Sequence, residues 1–401
     1  MKIAEVRVQP YALPMRAPFQ TAREVLQARQ GALVWLRDED GRWGVGEAAP
    51  LAGFGLESLQ ACSHALRRCT PHLQGTLQEE RPALGGTGSS WPVLHHLSGF
   101  PAARHAVECA LADLAAQRLG QPLWRWLLAM AELPVPAQPP AQVRVNAMVG
   151  AEQPRHAAER ARALAGAGFR TVKIKLGVES PQADAQRMTA VRQALGAHLA
   201  LRGDVNAAWS EEQALPALEA LAPLHLEYVE QPLPAEDRAA MARLARVSPI
   251  PIAADESALS VQEAQQVLQE RAAQVLIIKP MALGGLLPAL AVARMAHQHG
   301  VPAVVTSMIE GAVGRTAALH VAAAMHALGG GRPLPACGLA TGSLLAQDVV
   351  PAPPVPHEGQ LQVPQSPGLG LAGLLMPQPS AAGALPVNAA LEPQPDPSVN
   401  P

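Results

Sequence analysis

Lysine is scarce in this chain. Of 31 basic residues in 401, only Lys2, Lys173, Lys175 and Lys279 are lysine; the rest are arginine. Charge of either sign is thin, with Asp, Glu, Lys and Arg making up 16% of the chain, against roughly 25% in ordinary globular proteins. The formal net charge is −2 and no block of like charge stands out, which excludes the electrostatic footprint of a nucleic-acid binder or an anionic-membrane binder. No apolar run approaches the roughly 18 residues of a membrane span, and the opening MKIAEVRVQPYALP alternates like a strand without a signal-peptide core. A cytoplasmic enzyme acting on a small molecule is the expectation, with homo-oligomerisation left open.

Cysteine is equally rare. Cys62, Cys69, Cys109 and Cys337 form no C-x-x-C pair and sit among apolar neighbours, so buried thiols are expected rather than a redox pair or a zinc site. The histidines, including His95, His96, His297 and His299, have no cysteine or carboxylate cluster at ligand spacing. Packing or surface roles suit them. The glycines of PALGGTGSSWP lack the G-x-x-x-x-G-K-[ST] pattern that cradles phosphate.

What is present divides the chain. Residues 1–60 read as strands, with a hairpin turn at Asp40-Gly41, and PAARHAVECALADLAAQRLG repeats apolar residues at helical spacing before Gly120. Strands followed by helices suggest an α+β domain over residues 1–131. Proline-rich residues 132–142 look like a linker. From 143 to 343, short strands alternate with Ala/Leu-rich helices: VRVNAMV, TVKIKLG, LALRGDVN, LEYVEQP, PIAADES, VLIIKP, PAVVTSM and, weakly, PACGLA. Capping boxes are expected at Ser210/Gln213 and Ser260/Glu263. Seven or eight such units indicate a parallel barrel with its chemistry at the carboxyl ends of the strands. A doubly wound open sheet is the alternative, but no G-x-G-x-x-G opens a helix here. Residues 373–401 are too rich in proline and too poor in apolar periodicity to bury a core, and a disordered tail is expected.

Lys175, Asp204, Glu230, Asp255 and Lys279 each close one of these strands, at intervals of 29, 26, 25 and 24 residues. Three carboxylates on consecutive strands would converge above the barrel, where burying them is costly unless a cation neutralises them. An all-oxygen donor set suits a hard ion such as Mg²⁺, with Mn²⁺ as a substitute. Taken singly, each acid could equally cap the following helix; the spacing of all three favours the metal. Lys173 and Lys175, two apart on a strand, face the same way, and Lys279 lies four strands on, across an eight-stranded barrel. An amine can give up its proton where arginine cannot, although lysines at strand ends could also simply reach for solvent. Such a set would suit abstraction of the α-proton of a carboxylate substrate. A Schiff-base aldolase using Lys279 would leave the three carboxylates unexplained.

These residues carry a resemblance. K-x-K at Lys173/Lys175, D-x-N at Asp204/Asn206, E-Q-P at Glu230–Pro232, D-E-S at Asp255–Ser257, and K-P with Gly284-Gly285 after Lys279 are similar to the enolase superfamily, in its muconate-lactonizing-enzyme subgroup. The pairing of a lysine base with Mg²⁺ is a known property of that superfamily. The resemblance implies a (β/α)7β-type modified TIM barrel. It also implies an α+β capping domain built from the N-terminal region, with G-x-G-E at Gly44–Glu47, and completed by about residues 344–372. Within the subgroup, GEAAPLAGFGLES (46–58), CGLATGSLL and GLGL (368–371) resemble o-succinylbenzoate synthases, carbon–oxygen hydro-lyases of menaquinone biosynthesis. On that resemblance Lys175 is the base, Lys173 supports the enolate, and Lys279 faces the forming aromatic ring as a cation. Arg202, Asn206, Ser307 and Gly338 become candidate substrate contacts. The alternatives are an N-acylamino acid racemase or dipeptide epimerase, using Lys175 and Lys279 on opposite faces of one carbon, and, behind these, a muconate cycloisomerase. Residues 335–343 lack the D-x-D with which the dipeptide epimerases hold a substrate ammonium.

Overall fold

A computed structural model of the chain describes residues 1–20, 25–80, 91–136, 140–328 and 334–371. The expected tail at 373–401 and nearly all of the glycine-rich loop at 82–92 lie outside the described residues. The N-terminal part begins with a three-stranded antiparallel sheet, β1 (Ile3–Gln20), β2 (Val25–Asp38) and β3 (Trp43–Ala48), in that order. The β2–β3 turn falls at Asp40-Gly41: the Asp38 carboxylate accepts from the amides of Asp40 and Arg42, and Gly41 takes φ 84°. Helices α1 (Leu59–Leu73), α2 (Pro101–Arg118) and α3 (Leu123–Met130) follow. Alanine-rich α2 lies directly on β3. A Cβ at Gly46 would come within 1.9 Å of the Ala106 carbonyl, and one at Gly44 within 2.4 Å of the Ala110 carbonyl, so the two glycines of G-x-G-E are what let strand and helix touch.

After β4 (Gln142–Arg144) the barrel runs through β5 (Ala147–Val149), α4 (Pro154–Gly166), β6 (Thr171–Lys175), α5 (Pro181–Leu195), β7 (Ala200–Asp204), α6 (Glu211–Leu221) and β8 (Tyr228–Glu230). It continues through α7 (Arg238–Val247), β9 (Ile252–Ala254), α8 (Val261–Glu270), β10 (Val275–Ile278), α9 (Leu286–Gln298), β11 (Ala303–Val305) and α10 (Ala312–Leu328). Strands β5 to β11 form a seven-stranded parallel sheet in sequence order. The segment expected as a weak eighth strand joins its two edges. The Cys337 carbonyl accepts from the Asn146 amide and the Gly338 amide donates to the Val305 carbonyl, both in parallel bridges. Residues 143–149 do not form one strand, because β4 turns away to pair antiparallel with β12 (Gln360–Gln362) while β5 joins the barrel.

The Ser210/Gln213 capping box is complete, whereas Ser260 accepts from the Glu263 amide without the reciprocal bond. Beyond the barrel the chain returns to the N-terminal part: Met15 bridges Leu345, the Leu123 amide donates to the Gly368 carbonyl, and the Leu369 amide donates to Asp113. All four cysteines are buried and unpaired, and burial pushes the Cys69 and Cys337 thiols up to about 11. Among the described residues no helix is long and apolar enough to cross a membrane.

Candidate active site

Strand register brings the site together. Lys175 pairs with Asp204 across β6 and β7, and Asp204 pairs with Glu230 across β7 and β8, so three functional side chains stand in one row at the strand ends. Asp255 comes one residue after β9 and Lys279 one residue after β10. Gln231 fixes the turn beyond them. It is fully buried, adopts φ 38°, and its side-chain oxygen accepts from the Asp255 amide and from both the amide and hydroxyl of Ser257.

The lysines and carboxylates are paired unequally. The Lys173 amine lies 2.8 Å from Asp204 Oδ2 and 3.0 Å from Glu230 Oε1. Lys279 donates to Asp255 Oδ2 and its Nζ lies 3.7 Å from the centre of the Phe54 ring. Among the described residues, the Lys175 amine has neither a hydrogen bond nor an ion pair. On the carboxylates, Asp204 Oδ1, Glu230 Oε2 and Asp255 Oδ1 are all buried without a hydrogen-bond partner, as are Asn206 Oδ1 and Glu256 Oε2 beside them. Asn206 reaches the other Glu256 oxygen at 3.0 Å.

Charge balance is strained in this arrangement. Burial pushes Glu230 upward in pKa, with Lys173 opposing and Asp204 and Asp255 adding to the rise. Asp255 is also raised by burial, against the pull of Lys279. Asp204 moves down, because Lys173 and Lys175 outweigh its burial. Burial works against the Lys173 ammonium, but Asp204 and Glu230 overcome it and hold its pKa above the ordinary lysine range.

Among the described residues no three His, Cys, Asp or Glu side chains form a ready ion cage; Asp204 and Glu230 are paired to Lys173, and Asp255 to Lys279. The donor chemistry nevertheless fits a hard divalent cation. Each of the three acids offers one buried oxygen with no proton donor to satisfy it, and such an oxygen is costly to leave bare.

The other expected contacts fare differently. Ser307 sits at the seam where the barrel closes, its amide donating to the Gly338 carbonyl and its hydroxyl 2.5 Å from that of Thr341. Arg202 lies deep inside the barrel. It is fully buried, bonded to Glu227, to Asn146 and to the Ala336 carbonyl, and stacked over Tyr228. These bonds use its Nε and Nη1, while Nη2 is buried without a hydrogen-bond partner; a hold on a substrate carboxylate stays a proposal. Phe54 and Glu256 were not singled out from the sequence. A signal for Phe54 existed, since it is one of four phenylalanines and stands between Gly53 and Gly55 in the 46–58 loop.

Comparison with known proteins agrees with this geometry. Residues 156–373 match the family model described as "Enolase C-terminal domain-like". The chain belongs to the enolase superfamily. Residues 3–85 match the model described as "MenC, N-terminal domain". The chain is 41% identical over 242 residues to the o-succinylbenzoate synthase of Thermobifida fusca, covering 60% of this chain and 72% of that protein. It is 30% identical to the L-Ala-D/L-Glu epimerase of Bacillus subtilis, over 93% of this chain and 97% of that one. Its fold is similar to that of a dipeptide epimerase from Enterococcus faecalis complexed with Mg and the dipeptide L-Leu-L-Tyr, with TM-score 0.80 and 26% identity over 92% of this chain and 99% of that one. The superfamily membership makes the chain an enzyme with a barrel and a capping domain. Its relatives include both lyases and epimerases.

Proposed function

We propose that this enzyme is a Mg²⁺-dependent o-succinylbenzoate synthase, which removes water from 2-succinyl-6-hydroxy-2,4-cyclohexadiene-1-carboxylate in menaquinone biosynthesis. The observation that carries this reading is the unequal pairing of the three lysines. Syn-dehydration needs one mobile amine on one face of the substrate. Lys175, whose amine has no hydrogen bond or ion pair among the described residues, takes the α-proton; the carbon–hydroxyl bond then breaks, the same amine returns the proton to the departing hydroxyl, and water leaves as the ring becomes aromatic. Lys173, fixed between Asp204 and Glu230, adds positive charge beside the forming enolate. Lys279, paired to Asp255 on the opposite side, faces the developing ring as a cation. Asp204, Glu230 and Asp255 would hold the metal through their unsatisfied oxygens. When bound, Mg²⁺ or Mn²⁺ would supply positive charge against the substrate carboxylate and lower the cost of removing its α-proton. The match of residues 3–85 to the MenC N-terminal domain and the likeness to the T. fusca synthase support the same reading.

Epimerisation of dipeptides or racemisation of N-acylamino acids is the second reading, favoured by the placement of Lys279 four strands from Lys175 and by the epimerases among the relatives. It asks Lys279 to accept a proton as readily as Lys175, whereas Lys279 is engaged by both Asp255 and Phe54. The test incubates purified protein with Mg²⁺ and the cyclohexadiene and follows loss of its absorbance, with EDTA and Lys175→Ala as controls. Turnover that needs the metal and falls by at least about 10³-fold in Lys175→Ala is expected. No turnover, together with α-proton exchange of N-acyl amino acids or dipeptides in D₂O, would replace the synthase with the epimerase.

A further inference from the structure

The contact between Phe54 and Lys279 crosses from the capping domain to the barrel. Phe54 ends a short 3-10 turn, Ala52–Phe54, closed by Gly55 at φ 101°. A Cβ at Gly55 would lie 3.3 Å from the Leu259 side chain, so the turn rests on the segment that follows Asp255. The Lys279 ammonium therefore has the Asp255 carboxylate as one partner and the face of the Phe54 ring, 3.7 Å from its centre, as the other. An anion alone fixes a flexible four-carbon side chain in distance but leaves it free to swing. An aromatic face attracts the same charge through its quadrupole and adds a second point of restraint. Among the described residues no comparable aromatic restraint holds Lys173, which is fixed by two carboxylates, or Lys175, whose amine has no hydrogen bond or ion pair.

We infer that Phe54 is a positioning residue: it clamps the Lys279 ammonium from the capping side, so that the cation opposite the base is complete only when the capping turn is seated on the barrel. The clamp gives the 46–58 loop a task in the chemistry through Lys279, apart from any contact it makes with substrate. It also suits a reaction in which Lys279 serves as a fixed charge. In that respect the inference deepens the dehydratase reading and rests on it for its kinetic arm, while its structural arm stands without it.

The scarcity of lysine makes the structural arm readable. Protein labelled with ¹³C at the lysine ε-carbons shows one methylene signal for each of the four lysines, and Lys279→Arg identifies the signal of Lys279. Ring current from Phe54 is expected to displace that signal upfield. Phe54→Leu should return it downfield, and Phe54→Tyr should leave it displaced. In the kinetic arm, Phe54→Leu is expected to lower kcat for dehydration by about tenfold with little change in KM, and Phe54→Tyr to restore it. A Lys279 signal that does not move between wild type and Phe54→Leu overturns the clamp. A signal that moves while kcat stays at the wild-type value overturns its part in the chemistry. If the wild type performs no dehydration, the dehydratase reading fails by itself; the NMR arm still decides the clamp, and the Phe54 variants are then compared in α-proton exchange, where an unchanged rate overturns the role.

Discussion

Two sets of three buried carboxylates flank the interface between the capping domain and the barrel, and they are treated in opposite ways. Glu47, Glu108 and Asp113 from the capping domain and Asp204, Glu230 and Asp255 from the barrel are each at most 8% exposed. In the first set both oxygens are satisfied. Glu47 accepts from the Tyr11 hydroxyl and from the amides of Gly311 and Gly314 at the start of α10. Glu108 accepts from Arg104 and from the Leu287 amide at the start of α9. Asp113 accepts from the amides of Val45 and Leu369. Glu47 and Glu108 thus place negative charge at the positive ends of two barrel helices. In the second set each acid has one oxygen paired to a lysine and one with no partner. Acids that hold the fold together are saturated, while those at the strand ends are left short of donors on buried oxygens. That shortfall is what a bound cation would make good.

The comparison predicts opposite responses to neutralisation. Glu230→Gln should reduce the proposed dehydration by about 10³-fold or more while changing stability by no more than about 1 kcal/mol, because Lys173 keeps Asp204 as its partner and a costly buried charge is removed. Wild-type protein should gain about 2.7 kcal/mol of stability at a divalent-ion concentration one hundred times its Kd, and Glu230→Gln should lose most of that gain. Urea unfolding with and without Mg²⁺, beside steady-state kinetics, reads both. A variant that unfolds far more easily without the ion would place Glu230 with the docking acids.

Glu47→Ala is the mirror experiment. It strands two helix-terminal amides and the Tyr11 hydroxyl in a dry interface, and should cost about 3–5 kcal/mol of stability. Glu47→Gln, which keeps an acceptor, should cost less. Unfolding midpoints of the two variants check the ordering, and an Ala variant as stable as wild type would remove Glu47 from the docking set.

The two sets were not equally legible in the sequence. The strand-end acids announced themselves because one βα unit separates each from the next, and strand direction then forces their side chains to one end of the barrel. Lys173 and Lys175 were readable from the period of two along a strand. Glu47 was visible only as the last letter of G-x-G-E, without its helix partner, since Gly311 and Gly314 lie more than 260 residues away and no local pattern encodes such a pairing. The depth of Arg202 was hidden for a related reason. Sharing a strand face with Asp204 puts it inside the barrel but says nothing of depth, and one strand repeat lower it meets Asn146 and the Ala336 carbonyl rather than the mouth. The closing strand was faint in the sequence because only a few backbone bonds around Cys337 and Gly338 join the edges. Phe54 escaped because a ring on a loop acquires its partner only when two domains meet.

The smallest expected effect separates burial from pairing within the docking set itself. Asp113 has both oxygens bonded to amides, yet burial outweighs those bonds and lifts its pKa from the ordinary 3.8 to about 6. Between those two values the folded protein holds a proton that the unfolded chain has released. The stability contributed by Asp113 therefore falls as pH rises from about 4 to about 6 and is level above that, the reverse of a salt-bridged aspartate. A shift of this size corresponds to roughly 2–3 kcal/mol across the window. His105 and His320, pushed down to about 4 by their own burial, contribute with the opposite slope up to the ordinary histidine range, so the wild-type curve alone does not isolate the effect. The difference between wild type and Asp113→Asn does, because the histidines are common to both. Unfolding free energies measured at pH steps between 4 and 7 should give a difference that changes up to about pH 6 and then stays constant. A difference flat across the whole range would mean that the amides of Val45 and Leu369 compensate Asp113 fully, and that saturation alone, without a residual cost of burial, distinguishes the docking acids from the acids of the active site.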